Sequence, residues 1–162
     1  MIEFVNVSKV YKATGTRALS NFNVSIDRGE FVFVVGPSGA GKSTFIKLLM
    51  REEKPTSGEI YVNGQNLVRL KRRKVPYYRR TLGVVFQDFR LIPTMNVYDN
   101  VAFALRVTNV SAKDIRSRVP YILGLVGLSG KAKSLPEHLS GGEQQRVALA
   151  RALVKNKAYC VV

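Results

Sequence analysis

The segment VVGPSGAGKST, residues 34–44, constrains the fold of this chain more than any other stretch. An apolar run ends at Gly36, and Gly41, Lys42 and Ser43 follow after four intervening residues. The spacing G-x-x-x-x-G-K-S is typical of a loop between a strand and a helix whose backbone N–H groups bind phosphate. Glycines let the backbone curl, and the helix that follows directs the positive end of its dipole to the same point. We therefore predict a phosphate site here.

The residue types of this loop indicate its ligands. Lys42 adds a charge that can reach the β- and γ-phosphates, and the Ser43 hydroxyl is a candidate ligand of Mg²⁺. The alternative, a flexible Gly/Ser loop without a ligand, does not explain why the motif stands between a predicted strand and a predicted helix. The other residues predicted to surround the phosphates are Gly36, Pro37, Ser38, Gly39, Ala40, Gly41 and Thr44.

Strand patterns alternate with helix patterns along the chain. The run FVFVV is continuously apolar and predicts a strand that is buried on both faces. A turn, a strand and an Asn-Gly turn are predicted within TSGEIYVNGQNL. The alternation favours an α/β fold with a parallel sheet. The other predicted strands are residues 2–8, 22–27, 81–86 and 158–162.

Helical periodicity follows the glycine-rich loop and dominates residues 87–136. Ser111 and Asp114 stand at capping-box spacing and open one helix, and Pro120 within it is expected to kink or split that helix. A last helix is predicted over about residues 142–156. Its apolar face is formed by Val147, Ala150 and Val154.

Charge indicates an anionic partner. The 162 residues include 26 Lys and Arg against 11 Asp and Glu, a net charge of +15, and many of these cations lie in residues 69–80. Nucleotide, nucleic acid and anionic lipid are all compatible with this excess. A solvated basic face is the simplest reading of residues 69–80, with lipid contact as the alternative. We find no motif typical of RNA or DNA binding, although a basic nucleic-acid-binding module stays open as a rival function.

Targeting and redox signals are absent from the sequence. No apolar run reaches the roughly 20 residues of a membrane-spanning helix, and the N-terminus lacks the basic start of a signal peptide. The single cysteine, Cys160, excludes an internal disulfide, and its apolar neighbours predict a buried thiol. We expect the cytosol as the compartment.

A second motif, LSGGEQQRVALARAL at residues 139–153, is more specific than the first. Ser140 and Glu143 stand at capping-box spacing, which alone would explain these two residues. A capped helix start with two glycines also forms an anion site. Together with the glycine-rich loop, this block resembles the ATPase subunits of ABC transporters, whose signature is LSGGQ, with Glu143 in place of the glutamine.

This resemblance covers the whole chain and implies its architecture. The implied fold is an α/β P-loop NTPase of the ABC type, with a parallel-sheet core, an antiparallel β subdomain and a helical subdomain. Residues 1–162 would form one such domain, truncated at its C-terminal side. The core with the β subdomain would comprise residues 1–86 and 143–162, and the helical subdomain residues 87–142.

The resemblance also implies roles for individual residues. Tyr11 matches the aromatic residue that stacks on adenine, and Gln87 matches the glutamine that contacts Mg²⁺ and the attacking water. The family works as a homodimer, in which each ATP lies between the glycine-rich loop of one copy and the signature of the other. The residues that would act across this interface are Ser140, Gly141, Gly142 and Glu143.

The segments VPYYRRTLGVVFQDFRLIPTMNVYDNVAFAL and LSGGEQQRVALARALVKNK look most like those of the bacterial cell-division ATPases within this family. Lipoprotein-release and macrolide-export ATPases are the alternatives. This resemblance implies a peripheral position on the cytoplasmic side of the membrane, an integral membrane partner, and no specific nucleic acid. The segment Phe89–Val101 would contact that partner. Four apolar residues there are either exposed anchors for the contact or part of the core: Leu91, Ile92, Met95 and Val97.

The family's hydrolytic carboxylates have no counterpart in the sequence. No Asp or Glu follows Glu143, whereas the family has an Asp for Mg²⁺ and a Glu as general base after the next strand. The family's switch histidine is also missing, because His138 is the only histidine and precedes the signature. We therefore expect an N-terminal fragment that binds ATP with Mg²⁺ and does not hydrolyse it alone.

Overall fold

The computed structural model describes residues 1–155 and 159–161. The chain divides into two compact units, Met1–Arg79 and Arg80–Val162. Both combine strands with helices. Within the described part of the chain, the helices are too short or too polar to cross a membrane.

The first unit is built on a four-stranded antiparallel sheet in the order β2-β1-β3-β4. The turn between the last two strands has Asn63 at φ 49° and Gly64 at φ 75°, the left-handed pair that a tight hairpin needs. The predicted Asn-Gly turn is thus confirmed. The strands are β1 Ile2–Tyr11, β2 Thr16–Ile26, β3 Ser57–Val62 and β4 Gln65–Asn66.

Helix α1, Lys42–Leu49, covers one face of this sheet. The Phe45 ring stacks on Phe4 with centroids 4.7 Å apart and meets Phe22 edge-on at 5.9 Å. Aromatic pairs in these geometries add about 0.5–1.5 kcal/mol beyond their buried area. After β4, a short 3₁₀ turn at Arg72–Lys74 leads into the one-turn helix α2, Val75–Arg79.

The second unit combines three helices with a two-stranded parallel sheet, β5 Leu82–Val84 and β6 Tyr159–Val161. A Cβ on Gly83 would lie 2.7 Å from the carbonyl oxygen of Ala152, so glycine lets β5 and the last helix approach closely. The helices are α3 Val97–Arg106, α4 Ala112–Leu125 and α5 Gly141–Leu153.

The three helices of the second unit enclose one hydrophobic core. Asn100 is a fully buried polar residue at its edge, and its amide bonds the backbone of Ile92, Met95 and Asn96 at 2.8–3.1 Å. Because both polar atoms of this side chain are hydrogen-bonded, these bonds offset the cost of its burial and fix the loop before α3. The predicted face of α5 lies in this core and is confirmed: Val147, Ala150 and Val154.

The prediction of a buried strand at residues 31–35 is wrong. These residues form no strand, and Phe31 and Val35 are 85% and 84% exposed. A central strand requires neighbours that pair with its N–H and C=O groups. No described strand pairs with residues 31–35. Apolar composition alone does not reveal whether such neighbours exist.

Other predictions were partly right. Helix α4 continues across Pro120 rather than splitting, because this position is exposed and water can solvate the carbonyl that loses its partner. The strand predicted over residues 81–86 is limited to β5. The last strand pattern yields β6, while Ala158, Val162 and the side chain of Cys160 lie outside the described residues.

The four apolar residues before and at the start of α3 do not behave alike. Val97 is 1% exposed and belongs to the core, so it is no surface anchor. Leu91 packs partly against the same core. Ile92 and Met95 are half-buried and keep part of their surface accessible.

Candidate functional site

The glycine-rich loop lies in the first unit, between β2 and α1. Gly41 is the residue before the first turn of α1 and has φ 90°. A Cβ at this position would lie 2.5 Å from the carbonyl oxygen of Ala18, so both conformation and space require glycine. Residues 36–40 of the loop are exposed, and they leave the backbone open to a ligand.

The N-terminus of α1 is free of the groups that usually cap a helix. Its N-cap residue, Gly41, has no side chain to accept from the first N–H groups, and the first turn of α1 contains no acidic residue. These N–H groups and the helix dipole therefore remain available to an external anion. Lys42 adds an ammonium group whose Nζ donates to the carbonyl oxygens of Gly36 and Pro37 at 2.6 and 2.8 Å.

Tyr11 and Thr44 are brought together next to this loop. Tyr11 ends β1, and its hydroxyl lies 3.3 Å from Oγ1 of Thr44, which is buried in the first turn of α1. The Nζ of Lys9 lies 5.0 Å from the centre of the Tyr11 ring. Ser43, in the same turn, is exposed. An aromatic ring and the glycine-rich loop thus share one region of the first unit.

The signature segment begins helix α5 in the second unit. Ser140 is the N-cap residue, and its Oγ accepts from the N–H of Glu143 while Glu143 Oε2 accepts from the N–H of Ser140 at 2.8 Å. The capping box is therefore real. Hydrogen bonds from Ser140 stabilise the ionised carboxyl and lower the pKa of Glu143. The bond from the Ser140 N–H has the larger effect, and the bond from its hydroxyl has the second largest.

Gly141 and Gly142 are the first two residues of α5, and both are exposed. A Cβ on Gly141 would meet nothing within 4 Å, and one on Gly142 would meet only the end of the Arg146 side chain, at 3.9 Å. Packing among residues 1–155 and 159–161 thus does not explain the glycines. They leave a flat, accessible helix start.

Gln87 lies in a turn after β5, with its side chain exposed. The next residues carry strain, because Phe89 and Arg90 have φ of 55° and 46°, a conformation that non-glycine residues seldom adopt. Arg90 also lies over the Phe86 ring, 3.9 Å from its centre.

Arg151 of α5 holds this strained segment and is a residue that sequence reasoning missed. Its two terminal nitrogens each donate at 2.6 Å, one to the carbonyl oxygen of Arg90 and one to that of Phe89. Burial lowers the pKa of Arg151. The sequence carries no local signal for this contact, because the partners stand 61 and 62 residues apart.

Metal ligands of the carboxylate or imidazole type do not converge in the described ranges 1–155 and 159–161, where no group of three or more His, Cys, Asp or Glu comes together. Ser43 and Gln87 provide a hydroxyl and an amide oxygen, which are ligand types that Mg²⁺ accepts. His138 is exposed and lies 3.7 Å from Glu137.

Comparison with known proteins assigns the family. The profile described as "ABC transporter" matches residues 19–162. "Cell division ATP-binding protein FtsE" of Bacillus subtilis is 53% identical over 156 residues, which is 96% of this chain and 68% of that protein. The FtsE protein of Mycobacterium tuberculosis is 54% identical, over 95% of this chain and 67% of its own. The Escherichia coli FtsE is 48% identical, over 98% of this chain and 71% of its own length.

A solved structure agrees with these relatives. The dimeric ATP-binding cassette MJ0796, in a post-hydrolysis state bound to ADP and Pi, superposes with a TM-score of 0.88 at 39% identity, covering 97% of this chain and 71% of that one. These findings favour the cell-division relatives over the export ATPases and the nucleic-acid-binding module. The chain therefore belongs to the ABC transporter family, as an ATP-binding cassette of the FtsE type.

Proposed function

We propose that the chain is the ATP-binding subunit of a bacterial cell-division complex of the FtsEX type, in which nucleotide binding is coupled to a membrane partner. The observation that carries this proposal is the uncapped start of α1 beneath Lys42. Backbone N–H groups, a helix dipole and an ammonium group converge there, and an ATP triphosphate supplies the matching negative charge. Tyr11 is near enough to this loop to stack on the adenine.

Mg²⁺ would accompany the nucleotide. Ser43 is exposed in the first turn of α1 and would supply the hydroxyl ligand. Gln87 would supply its amide oxygen and orient water. The ion keeps several of its own waters, so two protein ligands are sufficient.

A homodimer would complete the nucleotide site. The exposed start of α5, with no side chain at Gly141 or Gly142, supports close approach by the phosphates bound to a second copy. Ser140 and Glu143 would frame this contact, and closure would follow ATP binding. The dimeric state of the similar cassette MJ0796 supports the same arrangement.

The membrane partner would be an integral protein of the FtsX type, bound at the segment Phe89–Val101 on the cytoplasmic side of the membrane. Ile92 and Met95 supply the partly accessible apolar surface of this segment, whereas Val97 and Val101 are buried.

One cassette domain would connect the nucleotide with the partner. Its core would be formed by residues 1–86 and 143–162, and its helical subdomain by residues 87–142.

Residues 1–162 on their own would bind ATP without hydrolysing it. Water attack requires a group that positions or deprotonates the water, and no Asp or Glu follows Glu143 in this sequence. Lys42 and Ser43 do not have the chemistry of a general base. In this chain the loop would therefore act as a binding site alone.

The decisive experiment is a titration of the purified chain with a fluorescent ATP analogue in the presence of Mg²⁺. Lys42→Ala removes the ammonium group, and we expect its Kd to rise at least about tenfold, as charge-assisted hydrogen bonds to phosphate are lost. Lys47→Ala is the matched control, because Lys47 is an exposed lysine of the same helix. Equal affinity of the Lys42→Ala and Lys47→Ala variants would contradict the proposed site. Phosphate release that depends on Lys42 would contradict the absence of turnover.

A further inference from the structure

A cavity of about 290 Å³ lies in the first unit, where β4 passes into the 3₁₀ turn before α2. Leu70 and the amide side chains of Gln65 and Asn66 form part of its lining. None of its lining residues belongs to the glycine-rich loop or to the signature. The cavity is therefore a feature separate from the nucleotide site. Its remaining lining residues are all cations: Arg69, Lys71, Arg73 and Lys74.

The four cations differ in how they are held. Arg69 forms an ion pair with Glu59, with 2.9 Å between Nη2 and Oε1. The Tyr61 hydroxyl also donates to Glu59, and this bond, more than Arg69, lowers the pKa of the Glu59 carboxyl. The carboxylate is thus committed to partners beside the cavity and neutralises only one of its cations.

The other three cations have no acidic partner in the described part of the chain. Lys71, Arg73 and Lys74 are exposed, and none of them forms an ion pair there. Like charges around one concave surface repel each other and raise the local positive potential. Binding of an anion would relieve this repulsion.

Backbone contacts fix the segment that carries these charges. The side-chain Oδ1 of Asn66 accepts from the backbone N–H groups of Val68 and Arg69 at 2.9 and 3.1 Å. The N–H of Lys74 donates to the carbonyl oxygen of Lys71 at 2.8 Å and closes the 3₁₀ turn. Leu70 is buried beneath the segment. The cations thus extend from an ordered backbone rather than from a loose tail.

We propose that this basic cavity binds the phosphate group of a small anionic ligand, either a free phosphate compound or a phospholipid headgroup. Guanidinium and ammonium groups are the usual protein donors to phosphate oxygens, and the volume suits one headgroup-sized anion. Tyr77 lies on α2, three residues after the end of the 3₁₀ turn, and is 65% exposed. Tyrosine and clustered Lys or Arg side chains are both enriched where proteins meet a membrane interface.

The test distinguishes a specific phosphate site from nonspecific attraction by the positive charge of the protein. All proteins carry Lys42→Ala, so that the glycine-rich loop does not contribute phosphate binding. The site variant replaces Lys71, Arg73 and Lys74 with Ala. The control variant replaces Lys113, Arg116 and Arg118, three exposed cations of α4, and so removes the same charge elsewhere.

Two probes distinguish the sources of the phosphate. Inorganic pyrophosphate, measured by calorimetry, represents a free ligand, and phosphatidylcholine vesicles containing phosphatidylglycerol, measured by co-sedimentation, represent the headgroup. We expect at least one probe to bind, and the site variant to bind it about tenfold more weakly or worse. The control variant should lose less than about twofold, since charge at a distance is screened by salt.

The outcomes are decisive in either direction. Vesicle binding that pyrophosphate does not inhibit assigns the cavity to lipid, and pyrophosphate binding without vesicle binding assigns it to a free ligand. Equal losses in the site and control variants, or no binding of either probe, would overturn the proposal. Loss of oligonucleotide binding in the site variant, with both phosphate probes unaffected, would also overturn it and identify a nucleic-acid surface instead.

Discussion

At the scale of single residues, Arg151 illustrates how a buried cation can stabilise an unfavourable backbone. Left-handed conformations at Phe89 and Arg90 each cost about 1 kcal/mol or more and persist only when neighbouring groups hold them. The Arg151 guanidinium bonds both carbonyl oxygens with its two terminal nitrogens. Its planar fork allows two parallel bonds, which a lysine does not provide. The segment after Gln87 therefore depends on one side chain of α5.

Replacing Arg151 with Met should release this segment while leaving the helices folded. Both charge-assisted bonds are lost, so we expect the free energy of unfolding to fall by about 2 kcal/mol. Amide hydrogen exchange should accelerate in residues 86–92, and Arg151→Lys should restore protection only in part. Arg146→Met, which removes an exposed arginine of the same helix, is the control. Unchanged amide hydrogen exchange in Arg151→Met would show that the segment keeps its conformation without Arg151.

The sequence reveals the glycine-rich loop of the candidate site but does not reveal the role of Arg151. The loop is a local pattern, so Gly41 and Lys42 were predicted from spacing alone. Arg151 acts on residues more than 60 positions away, and its type and neighbours would suit an ordinary surface arginine equally well. Contacts of this kind depend on the packing of α5, which no short motif encodes.

At the scale of elements, the start of α5 serves two requirements at once. Ser140 and Glu143 satisfy the first N–H groups of the helix, and the glycines between them keep its surface open. The capping box and the signature are therefore not alternatives. A cap that uses residues at the first and fourth positions leaves the two positions between them free for a ligand.

The cap makes the stability of α5 depend on pH in the acidic range. Hydrogen bonds from Ser140 lower the pKa of Glu143 below its ordinary value of 4.5 in the folded chain. The stabilisation is therefore complete above that ordinary value and is lost as the pH falls through the lower folded value. Glu143→Gln can still accept the bond but does not titrate. Denaturant unfolding from pH 7 to pH 3 should show the wild-type advantage over Glu143→Gln shrinking, and a constant difference would contradict the assignment.

Element prediction succeeded where the decisive interaction is local and failed where it is not. The Asn63–Gly64 turn depends on two residues that tolerate positive φ, and the sequence displays both. The strand expected at residues 31–35 depends on pairing partners far along the chain, and the local sequence gives no information about them. At Pro120 the helix continues because water can solvate the freed carbonyl, a matter of exposure rather than of pattern.

At the scale of the whole molecule, family membership was predictable because two motifs occur in one chain at the expected order. The division into two units was not anticipated in the form that the structure has it, Met1–Arg79 and Arg80–Val162. The overall charge of +15 was evident from composition, but the concave grouping of cations around Lys71 and Arg73 depends on the turn that follows β4.

The exposed run at residues 31–35 has a consequence for the chain in concentrated solution. It is apolar, rich in β-forming residues and free of charge, which are the properties of segments that seed self-association. Mutual repulsion at a charge of +15 should keep molecules apart in dilute buffer, and added salt should screen it. We expect light scattering to rise with salt and protein concentration, and Phe33→Glu to suppress that rise. Tyr121→Glu, at an exposed aromatic residue of α4, should not, and equal effects of the two changes would assign the association to another surface. In colloidal terms, residues 31–35 would determine the solubility limit of this protein.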